Sequence, residues 1–167
     1  MIALVFAALQ MFSISGNASH AIAVWVTGPA RAPAPGTFEM HNVNRTFRPP
    51  MIVVPVGSQV RFPNDDPFEH SIYSTDSANG FDIGYYGTGP GKYVSFSHAG
   101  VVQVRCHIHG YMHGMIVVAG GPFVQITGGT YEIANLPAGT YTVHEITDDG
   151  IDHTVRLLVN GNKTLNF

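Results

Sequence analysis

The 167-residue sequence predicts an all-β protein, folded as a sandwich or a barrel. From residue 22 onward, short apolar runs rich in β-branched residues alternate with turns that contain Gly and Pro. No stretch keeps the 3.6-residue period of an amphipathic helix. Many short strands separated by such turns are typical of sandwiches and barrels.

The chain opens with an apolar run of about a dozen residues, which is short for a membrane span of about 20 residues. The run fits the core of a secretory signal, with Ser19 and Ala21 as a small-x-small cleavage site before Ile22. No Lys or Arg precedes it, and the alternative is an ordinary buried strand. Residues 1–21 are therefore predicted to be a signal peptide. The expected location is periplasmic or extracellular, with membrane attachment through this apolar segment as a variant.

Six strand candidates follow the predicted leader, each bounded by turn residues. They are 21–28, 51–62, 70–75, 92–97, 101–106 and 114–120. The Pro-rich segment 27–36 is predicted to be a loop or an edge, because a central strand needs the N–H group that Pro lacks.

The strand 101–106 carries the single cysteine of the chain. Polar residues alternate with Val102, Val104 and Cys106, so a period of two puts Cys106 on the buried face at the end of the strand. One cysteine excludes an internal disulfide, and a lone buried cysteine is most often a small hydrophobic residue. The loop that follows favours a different role.

Cys106-x-x-His109-x-x-Met112 places a thiol, an imidazole and a thioether in one short loop. A candidate second imidazole, His70, lies upstream, where a strand-loop-strand passage can bring it alongside. Two His, one Cys and a weak axial Met form the donor set of blue-copper sites. In such a set the sulfur ligands favour Cu(I), whereas the imidazoles suit Cu(II).

Two segments, 41–74 and 100–118, resemble the cupredoxins, in particular the amicyanin and plastocyanin group and related bacterial proteins. The first contains an x-F-x-P entry and a V-x-x-G-x-x-V-x-F-x-N-x-D run that leads to His70, and the second contains the Cys-His-Met loop. The resemblance implies a Greek-key β-sandwich over residues 22–121. It also implies one type 1 copper ion held by His70, Cys106 and His109.

The loop spacing is that of amicyanin and points to Met112 as the axial ligand. A plastocyanin-like loop requires Met at position 114, which is Gly114 here. Met115 and Glu69 remain alternative axial ligands. If His70 is not a ligand, His41 and His107 are the next candidates.

The resemblance implies an exported carrier of single electrons and not an enzyme. Redox partner proteins are expected to dock near the ring edge of His109, where Tyr111, Pro67 and Phe68 offer an apolar patch. A net charge of −3 without a basic run gives no reason to bind nucleic acid. No small-molecule substrate is expected, and the protein is expected to be a monomer. Because only 11% of the residues are charged, docking is expected to rely on apolar contact more than on electrostatic steering.

The alternative is a copper carrier or surface-interaction module without redox turnover. His107, His113 and Met115, which flank the predicted ligands, favour that interpretation.

Other kinds of metal site and a cysteine protease fit the sequence less well. A binuclear copper centre needs two cysteines, and coupled copper enzymes place a histidine before the type 1 cysteine, where this chain has Arg105. Structural zinc sites usually use more cysteines, and no oxyanion or substrate motif supports a cysteine protease.

Residues 122–167 are predicted to be a separate C-terminal module. Alternating Tyr131 and Ile133, then Tyr141 and Val143, predict a β-hairpin joined through residues 135–139. Two short strands around an Asn-Gly turn follow. The G-x-Y-x-I-x-x-L-P-A-G-x-Y-x-V pattern resembles carboxypeptidase-regulatory-like β-sandwich modules. Since about 45 residues are few for such a module, it is expected to pack on the copper sandwich, borrow the N-terminal strand and act as structural support.

Overall fold

A computed structural model describes residues 10–167. This range contains 17 strands and no helix, so none of its segments is a helix long and apolar enough to cross a membrane. The strands form four sheets. The predicted all-β fold class is therefore confirmed.

Two five-stranded sheets form the sandwich that contains the predicted ligands, called the site sandwich below. The first sheet contains β3 (Thr37–Glu39), β4 (His41–Val43), β5 (Thr46–Arg48), β7 (Gln59–Asn64) and β10 (Gly89–Ser95), in the order β10-β7-β4-β5 with β3 also on β7. The second sheet contains β6 (Met51–Pro55), β8 (His70–Ser74), β9 (Phe81–Tyr86), β11 (Gly100–Cys106) and β12 (His113–Ala119), in the order β6-β12-β11-β8-β9. The chain crosses repeatedly between the sheets, as in a Greek-key sandwich.

The predicted strand 51–62 is interrupted where the chain passes from the second sheet to the first. Gly57 has a φ of 87°, in the left-handed region that glycine adopts without steric cost. The turn at Gly57 therefore ends β6 and allows β7 to begin in the opposite sheet.

The other two sheets form a second sandwich from both ends of the chain, called the tail sandwich below. One sheet contains β2 (Ala21–Thr27), β13 (Phe123–Gln125), β15 (Gly139–Thr147) and β16 (Asp152–Val159), in the order β13-β2-β15-β16. The other contains β1 (Met11–Asn17), β14 (Thr130–Pro137) and β17 (Lys163–Thr164), in the order β14-β1-β17.

The two sandwiches pack on each other through the sheet that contains β12 and the sheet that contains β2. The side chains of β12 alternate between the two cores. Ile116 and Val118 face the core of the site sandwich, whereas Val117 and Ala119 face a second core shared with Trp25 of the tail sandwich. Successive side chains of a strand point to opposite faces of its sheet. This sheet is buried on both faces, so its strand reads as a continuous apolar run rather than an alternating one.

Strand pairing in the tail sandwich bears on the predicted domain bounds and on the predicted hairpin. The strand Ala21–Thr27, which those bounds place in the cupredoxin domain 22–121, pairs with β13 and β15 of the tail sandwich, so the C-terminal module shares an N-terminal strand. In the predicted hairpin of the module 122–167, β14 pairs with β1, while β15 pairs with β2 and β16. The chain passes from one sheet to the facing one between Pro137 and Gly139. This crossing lets Tyr131 and Tyr141 enter one core from opposite sides.

The predicted leader falls partly on the tail sandwich. Residues 1–9 lie outside the described residues, but Met11–Asn17 forms β1 between β14 and β17. Ile14 and Ala18 are fully buried there. This arrangement is the buried-strand alternative to a signal peptide. Cleavage before Ile22 stays a prediction, and it would remove a strand that the tail sandwich uses.

Candidate metal centre

Three predicted ligands come together at one edge of the second sheet. His70 begins β8, Cys106 ends β11, and His109 lies in the loop between β11 and β12. Strands β8 and β11 are antiparallel neighbours, with Cys106 opposite Ile72. The start of one strand and the end of the other therefore lie at the same edge, which explains how residues 36 positions apart meet.

The donor atoms of these three residues face one another. Cys106 Sγ lies 3.7 Å from Nδ1 of His70 and 3.9 Å from Nδ1 of His109, and the three donor atoms lie within 4.8 Å of one another. His70 and Cys106 are buried, while His109 is partly exposed. The arrangement presents one sulfur and two nitrogen donors to a single point that is shielded on the protein side.

One backbone hydrogen bond joins the ligand loop to the neighbouring strand β8, and a second lies within the loop. The N–H of His107 donates to the carbonyl of Ser71 at 2.9 Å, and the N–H of Met112 donates to the carbonyl of His109 at 2.8 Å. Met112 is buried in the same core cluster as Cys106. This placement is compatible with the predicted axial role, which stays a prediction.

The residues after Met112 leave the centre. Met115 packs with Val117 in the core between the two sandwiches. A Cβ atom added at Gly114 would lie 3.0 Å from Cδ2 of Phe47 and 3.2 Å from Sδ of Met40. A larger residue at position 114 would therefore crowd the core of the site sandwich.

Burial and nearby charges favour the neutral form of His109. Burial lowers the pKa of His109, and the nearby Arg45 guanidinium lowers it further, against the opposing charge of Asp66. Phe68 lies edge-on to the His109 ring at 5.6 Å, with the Arg45 guanidinium 4.4 Å above the Phe68 ring. A neutral imidazole has the free lone pair that a metal ligand needs.

Asp66, which was not among the predicted site residues, lies directly behind His70. Asp66 Oδ2 is 3.0 Å from Nε2 of His70, and the carboxylate also accepts the N–H groups of Asn44 and Arg45. Burial raises the pKa of Asp66, but the hydrogen bonds from Arg45, His70 and Asn44 outweigh burial and lower it. The signal was present in the N-x-D run, whose aspartate received no role.

The alternative ligands His107 and Glu69 and the flanking His113 have other surroundings. The His107 ring stacks on Tyr73 at 3.8 Å and bonds to Asp82. His113 Nδ1 lies 3.2 Å from the Arg105 guanidinium. Glu69 is exposed.

Another alternative ligand, His41, lies between two carboxylates. Its ring nitrogens lie 2.7 Å from Asp65 and 2.8 Å from Glu39. Among the described residues, the cluster of His, Cys and carboxylate donors within 4.8 Å of one another contains His70, Cys106 and His109, and it does not include His41, His107 or Glu69.

Two of the predicted docking residues, Tyr111 and Phe68, lie next to the His109 ring. Tyr111 is 65% exposed, and its ring centroid lies 6.2 Å from that of His109. Ile108, which the sequence interpretation did not single out, is 43% exposed. Pro67 is exposed and Phe68 is partly exposed. The rim of the site is thus largely apolar.

Fold and site together define a β-sandwich protein with a candidate metal centre of two histidines and one cysteine. No protein-family model matches the chain, and no curated protein matches its sequence. Similar solved structures include a copper-containing nitrite reductase from Thermus scotoductus, with 27% identity, a TM-score of 0.47 and coverage of 55% of this chain. The chain spans 24% of that reductase.

Two smaller proteins of known structure resemble this chain to a similar degree. A reduced variant of amicyanin is 20% identical, with a TM-score of 0.47, over 56% of this chain and 97% of its own. A purple cupredoxin from Nitrosopumilus maritimus is 25% identical, with a TM-score of 0.44, over 48% of this chain and 98% of its own.

Proposed function

We propose that the protein is an exported type 1 copper protein that carries single electrons between redox partners. The observation that supports this most directly is the placement of Cys106 Sγ within 3.9 Å of two imidazole Nδ1 atoms at a buried sheet edge. A thiolate, two imidazoles and a nearby thioether suit copper, whereas structural zinc sites usually draw on more cysteines. Copper bound there would alternate between Cu(I) and Cu(II) and so take up and release one electron.

The protein residues supply a pre-arranged donor set. Cys106 would bind as a thiolate, and His70 and His109 as neutral imidazoles. Both buried ligands lie on paired strands, so their positions depend on the sheet rather than on a mobile loop. A rigid donor set suits electron transfer, because little rearrangement is then needed when the charge changes.

The partly exposed His109 provides a contact with partners. The surrounding Tyr111, Ile108 and Phe68 form an apolar rim that a redox protein can cover. The proposed location is periplasmic or extracellular, in line with the predicted export. The tail sandwich is assigned a supporting role, because it packs on the outer face of the ligand-bearing sheet through Trp25 and Met115.

The copper-carrier alternative has less support. It depends on flanking soft or imidazole ligands that are free to pass on metal. His107 and His113 are engaged with Asp82 and Arg105, and Met115 is buried between the sandwiches.

Voltammetry of the copper-loaded protein tests the proposal. A reversible one-electron couple that persists over repeated cycles is expected of a carrier of electrons. Loss of copper from the protein on reduction would contradict electron transfer and favour the copper carrier.

A further inference from the structure

Asp66 and Cys106 lie on opposite sides of the His70 ring. Nε2 of His70 is 3.0 Å from Asp66 Oδ2, while Nδ1 is 3.7 Å from Cys106 Sγ. His70 is fully buried and Asp66 is 4% exposed, so water does not compete readily for either group. Each nitrogen of this ligand therefore has one defined neighbour.

An ionised carboxylate only accepts hydrogen bonds, and a neutral imidazole carries a single N–H group. A neutral His70 beside this carboxylate therefore carries its hydrogen on Nε2, where it donates to Asp66, and keeps its lone pair on Nδ1. We propose that Asp66 is a positioning residue that holds His70 in the tautomer and orientation able to bind a metal. The identity of that metal as copper rests on the proposed function.

The turn between β4 and β5 fixes the carboxylate. Asn44 and Arg45 have φ values of 53° and 56°, as both central residues of a type I′ hairpin turn do. Their N–H groups donate to Asp66 at 2.6 and 3.0 Å. The N–H of Asp66 itself donates to Asn64 Oδ1 at 3.0 Å. A turn from the first sheet thus fixes a ligand that belongs to the second.

An amide at position 66 cannot reproduce these contacts. If its oxygen faced Arg45 and His70, its NH₂ group would face the N–H of Asn44, and two donors would meet. If the amide were reversed, its NH₂ group would face Nε2 of His70 and favour hydrogen on Nδ1, the nitrogen directed at Cys106. Either orientation weakens the support of His70.

The charge of Asp66 has a second consequence. A carboxylate partner makes a ligating imidazole more basic, which favours Cu(II) over Cu(I) and lowers the reduction potential. Loss of such a partner typically weakens metal affinity by about 10–100-fold. Asp66→Asn is therefore expected to raise the reduction potential and to weaken Cu(II) binding by about that factor.

Asp82→Asn is the matched control, because Asp82 Oδ2 lies 3.1 Å from Nε2 of His107 in an exposed pair next to Cys106. The reduction potential and the Cu(II) affinity are measured for both variants and for the parent protein. Asp66→Asn should change both quantities, and Asp82→Asn should change neither. Equal values for a folded Asp66→Asn variant and the control would overturn the proposal.

A measurement on the metal-free parent protein does not depend on the variant folding. Long-range ¹H–¹⁵N spectra of protein labelled in histidine, recorded at a pH at which the His70 ring is neutral, should show hydrogen on Nε2 and an unprotonated Nδ1. Hydrogen on Nδ1 would overturn the role of Asp66. Because no copper is present, this result is separate from the proposed function, which fails if the loaded protein shows no thiolate-to-copper band.

Discussion

At the scale of single residues, Met112 and Met115 lie near each other in sequence but in different cores. Met112 is buried with Cys106 in the core of the site sandwich, whereas Met115 faces the tail sandwich. Two side chains of the same type therefore allow a matched test of the axial ligand.

Met112→Gln should lower the reduction potential and shift the visible spectrum, because a harder amide oxygen favours Cu(II) more than a weak thioether does. Met115→Leu is the control. As a nearly volume-conserving change it should cost less than about 1.5 kcal/mol of stability and leave the potential unchanged. Voltammetry of both variants measures their reduction potentials. A shifted potential in Met115→Leu with none in Met112→Gln would contradict the axial assignment.

The sequence pattern singled out Cys106 and His109, whereas His70 was predicted only from the family resemblance and its loop position, and the support of these residues was not predicted. The period of two in 101–106 places Cys106 on the buried face, and the loop spacing selects His109. The role of Asp66 depends on the turn at Asn44 and Arg45, about 20 residues upstream. No local pattern indicates that this turn would donate two hydrogen bonds to that carboxylate.

At the scale of elements, alternation predicted the strands better than their partners. The alternation of Tyr131 and Ile133 with polar residues is the same whether β14 pairs with β15 in a hairpin or faces β15 from another sheet. Register depends on tertiary contacts, here the insertion of β1 beside β14. The three-residue strands β3, β4 and β5 were not predicted, because so few residues show no clear period.

Strand β1 is expected to contribute to the stability of the tail sandwich. Ile14→Ala removes a fully buried side chain and should lower the free energy of unfolding by about 2–5 kcal/mol, as in other core truncations. Met11→Ala, at a side chain that is 46% exposed in the same strand, should change it by less than about 0.5 kcal/mol. Urea-induced unfolding of the chain that retains residues 1–21 gives both values. Equal small effects would show that β1 does not contribute to the tail sandwich.

At the scale of the whole molecule, the free energy of unfolding should decrease as the pH rises and Glu145 ionises. Glu145 lies on the same face of β15 as Tyr141 and Val143 and is buried. Burial raises the pKa of Glu145, against the opposing charges of His153 and His20. A carboxyl group whose pKa is raised by folding stabilises the protein fully below its unfolded pKa, and this contribution is lost as the pH rises through the folded pKa.

Glu145→Gln should therefore flatten the decline of Tm as the pH rises from about 4. It should make the protein more stable than the parent at pH 7. Glu132→Gln, at an exposed carboxylate on β14, is the control and should follow the parent curve. Thermal unfolding across this range measures the effect. Parallel curves for Glu145→Gln and the parent protein would contradict the ionisation of a buried Glu145.

The stacked sandwiches make the candidate metal centre and the tail parts of one structure. The most direct measurement is the optical and electron spin resonance spectrum of the copper-loaded protein, with Cys106→Ser as the comparison. An intense thiolate-to-Cu(II) band in the visible range, lost in Cys106→Ser, is the predicted result. A colourless loaded protein with the resonance of an ordinary tetragonal copper site would contradict the type 1 assignment.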